Sequence, residues 1–515
     1  MNFLKRILGL NGEIDKRILF GIASVFVVAA ILLFAFYGFG GGNEPTVNLV
    51  PKNASAVVLA RDLGATLANG SDEKDKERFS IFNQTEATLF VTGLSTSEVP
   101  VSGDRSVLNL KPKFTLLARP NLWSWQFNQL IGGPLTSFVK AQYGDDLRTE
   151  AKNADGAEWT IWKSSDNRVA YAAVRDGLLC FGNDESAISA VLKPTDTLLK
   201  TDARFESFVS DNEKSGIAAY VPRSGVESFS GAVAVLTAVE ASDDAGARGF
   251  LASLAVDLLE KGIENVKLTS DRSNDGVVDS LTIKFNKEVG EAFDATMGAG
   301  GIASDEAIKH VPDNSKNVTR YAFSKPRLAY RSLVLVAANN TSPVRARMVD
   351  VFSQGLLASY GVTNAEVFLD SLGAPAFTFS LEDGSSAAVI QTADYEKSLS
   401  SLEPELVSGL RSTSEGELIR SGDEELGAIK RGNILIIGEL SAVKACIGGK
   451  SDGLQKKKFQ ELFKASSKPV ATVSVVGTAE LALTETEFRN GSMIRTIHSK
   501  FGVAPSLLRF LAGKN

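Results

Sequence analysis

"VRDGLLCFGNDESAISAVLK" (Val174–Lys193) runs from an apolar strand through a glycine into a helix. Many phosphate sites begin this way, because free N–H groups and the positive dipole end of a helix N-terminus hold anions. Here the helix starts with Asn183, Asp184 and Glu185. Those carboxylates take up the positive end themselves and would repel a phosphate, whereas Asn183 or Asp184 makes a good N-cap. Phosphate loops also tend to use several glycines. The stretch therefore reads as a structural unit and not as a nucleotide site.

It has an echo near the other end of the chain. "IKRGNILIIGELSAVKACIGG" (Ile429–Gly449) repeats the order of charged turn, apolar strand, glycine and acidic helix start. Gly182 aligns with Gly438, and "SAISAVL" (Ser186–Leu192) with "SAVKACI" (Ser441–Ile447). Downstream, "ARFESFVS" (Ala203–Ser210) answers "KKFQELFKAS" (Lys457–Ser466), and "GIAAYVP" (Gly216–Pro222) answers "VATVSVVG" (Val470–Gly477). Upstream, "FTLLARPNLWSWQFNQLI" (Phe114–Ile131) answers "AAVIQTADYEKSLSSLEPEL" (Ala387–Leu406). The openings "VPKNASAVVLARD" (Val50–Asp62) and "VPDNSKNVTRYAFSKP" (Val311–Pro326) agree as well. Repeats this long imply two lobes and not a solenoid of short units. Alternating strands joined by tight turns, as in "VKLTSDRSNDGVVDSLTIKF" (Val266–Phe285), predict antiparallel pairing. The expected fold is α+β: an N-terminal transmembrane helix, then two related lobes of antiparallel sheet packed with helices, an internal duplication.

The transmembrane expectation rests on "ILFGIASVFVVAAILLFAFYGF" (Ile18–Phe39), which contains no charged residue. At about 22 residues it is long enough to cross a hydrocarbon core of roughly 30 Å, and longer than the apolar core of a cleaved signal peptide. Lys5, Arg6, Lys16 and Arg17 precede it, and the first charge after it is Glu44. The positive-inside rule then places residues 1–17 in the cytoplasm and the remainder outside, on a single-pass protein of the cell (inner) membrane. A glycine-rich stalk (40–49) would lead into a first lobe (50–300) and a second (301–515).

Composition sets further bounds. The 515 residues are 44% hydrophobic and 23% charged, an ordinary globular balance that excludes wholesale disorder. A net charge of −6 offers no global basic field for nucleic acid. Cys180 and Cys446 supply neither a disulfide framework nor a zinc cluster and read as isolated buried thiols. His310 and His498 stand alone, so no metal or other cofactor is expected.

The sharpest catalytic pattern is "SFVK" (Ser137–Lys140), a Ser-x-x-Lys pair followed by "SDN" (Ser165–Asn167) and "KSG" (Lys214–Gly216). A lysine activates the serine in acyl enzymes that use this order. The same pattern recurs at Ser71–Lys74 and Ser441–Lys444, however, and the three fragments crowd into a short stretch, so Ser137 and Lys140 form a weak catalytic pair. "DRSNDGVVD" (Asp271–Asp279) has the first ligands of a calcium loop but Thr282 where the closing glutamate belongs, so it reads as a hairpin turn. Trp123, Trp125, Trp159 and Trp162 are expected in the core ahead of an aromatic ligand platform.

"VPKNASAVVLARDL" (Val50–Leu63) and "DGLLCFGNDESAISAVL" (Asp176–Leu192) resemble a group of bacterial single-pass, membrane-anchored extracytoplasmic proteins known as a domain of unknown function. The resemblance spans most of residues 45–510 and implies topology, with no catalytic residue or substrate. The expected function is a non-enzymatic, membrane-anchored envelope protein whose two-lobed ectodomain binds a ligand or protein partner in the interlobe groove. The rivals are an envelope serine hydrolase using Ser137 and Lys140, and a structural subunit of a membrane complex. The subunit would dock through Gly231–Ile263 or "SLLRFLAG" (Ser506–Gly513).

Overall fold

A computed structural model of the chain describes residues 45–64, 83–102, 105–120, 122, 124–193, 198–230, 256–273, 276–301, 306–373, 375–422, 425–448, 454–476, 480–500 and 502. The expected cytoplasmic tail, transmembrane anchor and first part of the stalk lie outside these residues, as do 231–255 and 506–513. Among the described residues no helix is long and apolar enough to cross a membrane.

The strands are β1 (Ala56–Ala60), β2 (Ala87–Ser102), β3 (Arg105–Ala118), β4 (Leu147–Ala154), β5 (Ala157–Ser164), β6 (Val169–Arg175), β7 (Leu178–Gly182), β8 (Ile217–Val221), β9 (Ile263–Ser273) and β10 (Gly276–Phe285). They continue with β11 (Asn317–Tyr321), β12 (Ala376–Ser380), β13 (Ser386–Gln391), β14 (Ile419–Arg420), β15 (Leu426–Arg431), β16 (Ile434–Glu439), β17 (Val470–Val476), β18 (Glu480–Arg489) and β19 (Ser492–Ser499). Among the described residues every pairing is antiparallel, and the pairings join all of these strands into one 19-stranded sheet. From edge to edge the order is β4-β5-β6-β7-β3-β2-β1-β8-β9-β10-β19-β18-β17-β11-β12-β13-β16-β15-β14.

This corrects the expectation of two lobes. β10 and β19 pair from Val277↔Ser499 to Lys284↔Ser492, so the sheet runs unbroken through the place where two lobes would part. The physical reason is edge satisfaction. If the halves were separate, β10 and β19 would each expose a row of unpaired N–H and C=O groups, and pairing them removes both edges. Within this one sheet the order of pairing recurs. β1 lies between β2 and β8 as β11 lies between β12 and β17, and β3 bonds β7 as β13 bonds β16. The two stretches that echo each other in sequence thus occupy equivalent strand positions.

Helices cover both faces around those positions: α1 (Ser124–Leu130), α2 (Thr136–Tyr143), α3 (Glu185–Leu192), α4 (Ala203–Asp211), α5 (Lys287–Thr296), α6 (Pro326–Asn339), α7 (Pro343–Gln354), α8 (Ala365–Asp370), α9 (Tyr395–Leu399), α10 (Pro404–Ser412), α11 (Leu440–Gly448) and α12 (Leu454–Ala465). Cys180 of β7 packs with Trp159, Ile188 and Phe208 on one face, while Leu179 and Phe181 pack with Trp162, Phe127 and Val139 on the other. β16 repeats this, with Ile434 and Ile436 against Val443 and Phe463, and Leu435 and Ile437 against Leu399 and Leu406. Two covered faces explain why "LLCF" and "ILII" are continuous apolar runs without alternation.

Gly182 ends β7 and Gly438 is the last residue but one of β16, each for a steric reason. A Cβ on Gly182 would lie 2.2 Å from the Phe114 carbonyl oxygen, and one on Gly438 2.6 Å from Ala387 Cα. The glycines let β7 and β16 close against the backbones of β3 and β13. Asn183 then stitches the turn to β3: its Oδ1 accepts from Phe114 N at 2.8 Å and its Nδ2 donates to the Pro112 carbonyl at 2.9 Å.

Candidate functional site

Asp184 settles the strand–glycine–helix motif. Its carboxylate caps α3, accepting from Ser186 N at 3.1 Å and Ala187 N at 3.3 Å, and also takes a 2.7 Å bond from the Thr92 hydroxyl. The N–H groups that would hold a phosphate are occupied by the protein's own acid. Burial pushes the Asp184 pKa up, but the bonds from Ser186, Thr92 and Ala187 together hold it below the ordinary aspartate value.

Ser137 and Lys140 sit on α2, whose inward side is set by Val139 and Thr136. Val139 is buried, and the Thr136 hydroxyl accepts from Trp162 Nε1 at 3.0 Å. That docking turns Ser137 and Lys140 outward, where both are exposed, and no hydrogen bond joins them. The second fragment, Ser165–Asn167, is the turn between β5 and β6. There Arg168 binds Asp166 at 2.7 Å and donates to the Gln142 and Tyr143 carbonyls at the end of α2. Hydrogen bonds from Arg168 and Ser164 hold the Asp166 carboxyl well below the usual carboxylate range. The third fragment, Lys214–Gly216, precedes β8, where Gly216 N donates to Asp271 at 3.1 Å. β7, β3, β2 and β1 intervene between β6 and β8. At about 4.8 Å per strand, the third fragment is roughly 24 Å across the sheet from the second. The three fragments do not converge on one cleft.

The remaining sequence candidates are placed as follows. Trp159 and Trp162 are buried on opposite faces of β5, so they share no platform, and Trp125 is exposed on α1. Asp271 and Asp279 lie on the hairpin arms β9 and β10, with residues 274–275 outside the described set. His310 Nδ1 meets Arg431 at 3.1 Å, and His498 Nε2 lies 3.4 Å from Glu485. Among the described residues no group of His, Cys, Asp and Glu could hold a metal ion. Cys180 and Cys446 are both buried free thiols, and burial pushes the Cys180 thiol up to about 12. Arg320, wholly buried on β11, donates to the Phe463 and Ser466 carbonyls at 2.6 and 2.8 Å and so closes the C-terminal end of α12.

One surface the sequence reading did not single out stands apart. Pro326 and Pro343 start α6 and α7 at the position where a missing N–H costs nothing. The inward side of α6, with Ala329 and Val336, packs on Val289 and Phe293 of α5 and on Met297 just after it. Val349 of α7 and Ala337 of α6 enclose Leu258 from the helical stretch 256–262. Asp257 beside it binds Thr341 at 2.6 Å and Arg345 at 2.7 Å. The outward side is apolar too. Val344, Met348 and Val351 recur at i, i+4 and i+7, which places them on one face of α7, and Val344 and Val351 are 74% and 70% exposed. Leu328, Leu333 and Leu335 of α6 and Leu356 just beyond α7 are exposed as well. Among the described residues these seven are part of eleven exposed large hydrophobic residues, so the exposure is concentrated in one segment of the chain.

The same segment is basic. Residues 325–360 hold Lys325, Arg327, Arg331, Arg345 and Arg347 against Asp350 alone, a local charge of 5 − 1 = +4 in a chain of −6. Arg327 pairs with Glu366 and Asp370, and Arg345 with Asp257. Lys325, Arg331 and Arg347 are exposed and have no ion-pair partner among the described residues. The signal in the sequence is the stripe Val344, Met348, Val351. A stripe shows that one face is apolar but not whether that face turns inward.

No family model matches the chain, and no curated protein does. Among solved structures, crystal form I of TP0453 is 11% identical, covers 48% of this chain and 81% of its own, and has a TM-score of 0.26. Crystal form III of TP0453 is 12% identical with the same coverage and a TM-score of 0.27. Likenesses this loose carry no argument about fold or activity.

Proposed function

We propose that this chain is a non-enzymatic protein of the cell envelope, anchored by Ile18–Phe39, whose folded part lies outside the cytoplasm and binds a partner there. The observation that carries the reading is the concentration of exposed apolar side chains on α6 and α7, with Lys325, Arg331 and Arg347 exposed on the same segment. Apolar side chains exposed together on the outward side of α7 mark an interaction site, because leaving them in water costs free energy that a partner recovers. The uncharged span with its basic N-terminal flank supports the location. The outward placement of Ser137 and Lys140 supports binding over acyl-enzyme chemistry, since an activating lysine must meet its serine within hydrogen-bond reach.

Two measurements test the reading. A reporter active only outside the cytoplasm, fused after Gly42, is expected to be active; silence would overturn the topology. A fluorophosphonate or β-lactam probe is expected to leave the full chain unlabelled. Labelling that disappears in Ser137→Ala would replace the binding role with a hydrolase.

A further inference from the structure

We propose that the partner of the α6–α7 face is an anionic lipid bilayer surface. The inference rests on the envelope-binding reading above and gives that partner its chemistry.

The orientation of α7 is the first argument. A helix covering a protein core turns its apolar stripe inward and its charges to water. Here Val344 and Val351 face out at 74% and 70% exposure, although α7 also buries Val349 beneath them. A helix of this kind lies in a bilayer interface with its apolar side sunk to the acyl boundary. At about 1.5 Å per residue, the 14 residues of α6 and 12 of α7 give two rods of roughly 21 and 18 Å, enough to rest side by side on a membrane.

Charge is the second argument, and it selects among occupants. With Arg327 and Arg345 taken up by acids outside the segment, Lys325, Arg331 and Arg347 still leave residues 325–360 basic in a chain of net −6. A second copy docking the same face would bring its Lys325, Arg331 and Arg347 against the same three cations, and like-charge juxtaposition disfavours that pair. A lipid surface of negative charge fits instead, since Lys and Arg beside an apolar helix face add electrostatic attraction to its burial. Arg331 and Arg347 are available for this role, because their charges are not used in ion pairs among the described residues. A membrane anchor in the same chain would hold the face near the bilayer and raise its effective concentration there.

The test uses the full chain reconstituted in vesicles through its own anchor. An environment-sensitive fluorophore is attached at Val351→Cys, and in a second preparation at Val344→Cys; the buried Cys180 and Cys446 thiols do not compete. A control label goes at Ser137→Cys on the exposed side of α2. In vesicles containing phosphatidylglycerol, the labels at 344 and 351 are expected to shift to the blue and to be quenched by brominated lipid, while the label at 137 is not. Vesicles of phosphatidylcholine alone should quench several-fold less. Each basic residue near an anionic surface is worth about fivefold in partitioning, so Arg331→Gln with Arg347→Gln should lower the docked-to-free ratio about 25-fold. Equal quenching in both lipids, or no effect of the double substitution, overturns the anionic specificity. Labels that are shielded but unquenched by lipid overturn the bilayer and leave the binding role standing with a protein in its place. Labels at 344 and 351 that stay in water with vesicles and with detergent-solubilised envelope proteins alike remove both.

Discussion

Gly182 shows what a single residue decides in this molecule. A Cβ there would lie 2.2 Å from the Phe114 carbonyl oxygen and 2.9 Å from Thr115 Cα, and neither atom belongs to a side chain that could swing away. Gly182→Ala should therefore force β7 from β3 and destabilise by about 1–3 kcal/mol, as overpacking does. Gly438→Ala should cost more, because its φ of +146° adds backbone strain of roughly 1–3 kcal/mol. A lower denaturant midpoint at unchanged slope would confirm both; an unchanged midpoint would refute the steric account. The sequence marks both glycines as landmarks, but their purpose depends on strands some 50–70 residues away and is invisible locally. Asp184 is the opposite case, since an acid at a helix start reads directly as a cap. Its folded pKa lies below the ordinary aspartate value, so the unfolded chain binds the proton more readily. The stability it contributes is present above the unfolded pKa of about 3.9 and is lost as pH falls through the folded value. Asp184→Ala should cost about 1 kcal/mol near pH 7 and little once the carboxyl is protonated. A pH series of unfolding midpoints checks this, and parallel curves for the two proteins would sink it.

At the scale of elements, the informative contrast is between β7 and α7. The run "LLCF" is short, apolar and bounded by turn residues, and it is a strand covered on both faces, as such runs can be. The α7 stripe is as clear in the sequence, but its direction is not encoded in periodicity. What turns Val349 inward is the pairing of α7 with α6 and Leu258, together with Arg345 held by Asp257. These contacts span about 90 residues and could not be read from the helix itself. The two faces should respond differently to substitution. Val336→Ala, on the buried side of α6, removes two methyl-sized groups from a packed site and should cost about 1.5–3 kcal/mol. Val344→Ser and Val351→Ser should stay within about 0.5 kcal/mol, because those side chains are already in water in the free protein. Denaturant unfolding without lipid separates the two. A large loss from Val351→Ser would mean that α7 packs against the fold through the face described here as outward.

For the whole molecule, the decisive contact is the one that makes the sheet continuous. β10 and β19 are separated by some 200 residues of chain, and both mix apolar and polar residues as strands in either place do. Nothing local distinguishes an edge from an interior strand, and for that reason the sequence supports two lobes while the backbone forms one sheet. The joint has a second layer. Phe293 of α5 meets Phe285 of β10 at 5.1 Å between ring centroids and Phe488 of β18 at 5.6 Å. Beside it, Gly491 N in the β18–β19 turn donates to Asp294 at 2.7 Å, and Gly290 approaches so closely that a Cβ would sit 2.7 Å from Gly491 Cα. α5 thus clamps strands from both parts of the chain over the ladder that joins them. Phe293→Ala should cost about 3–5 kcal/mol, the usual loss for a buried phenylalanine. Its signature should be spatial as well as energetic: amide exchange should accelerate in 276–285 and in 480–499 together, since one ring supports both. If exchange rose only in 276–285, α5 would be a local support of β10, and the continuity of the sheet would rest on the β10–β19 hydrogen bonds alone. If it rose across 56–221 and 317–476 to the same extent, the clamp would instead be part of a single cooperative unit that opens only by global unfolding.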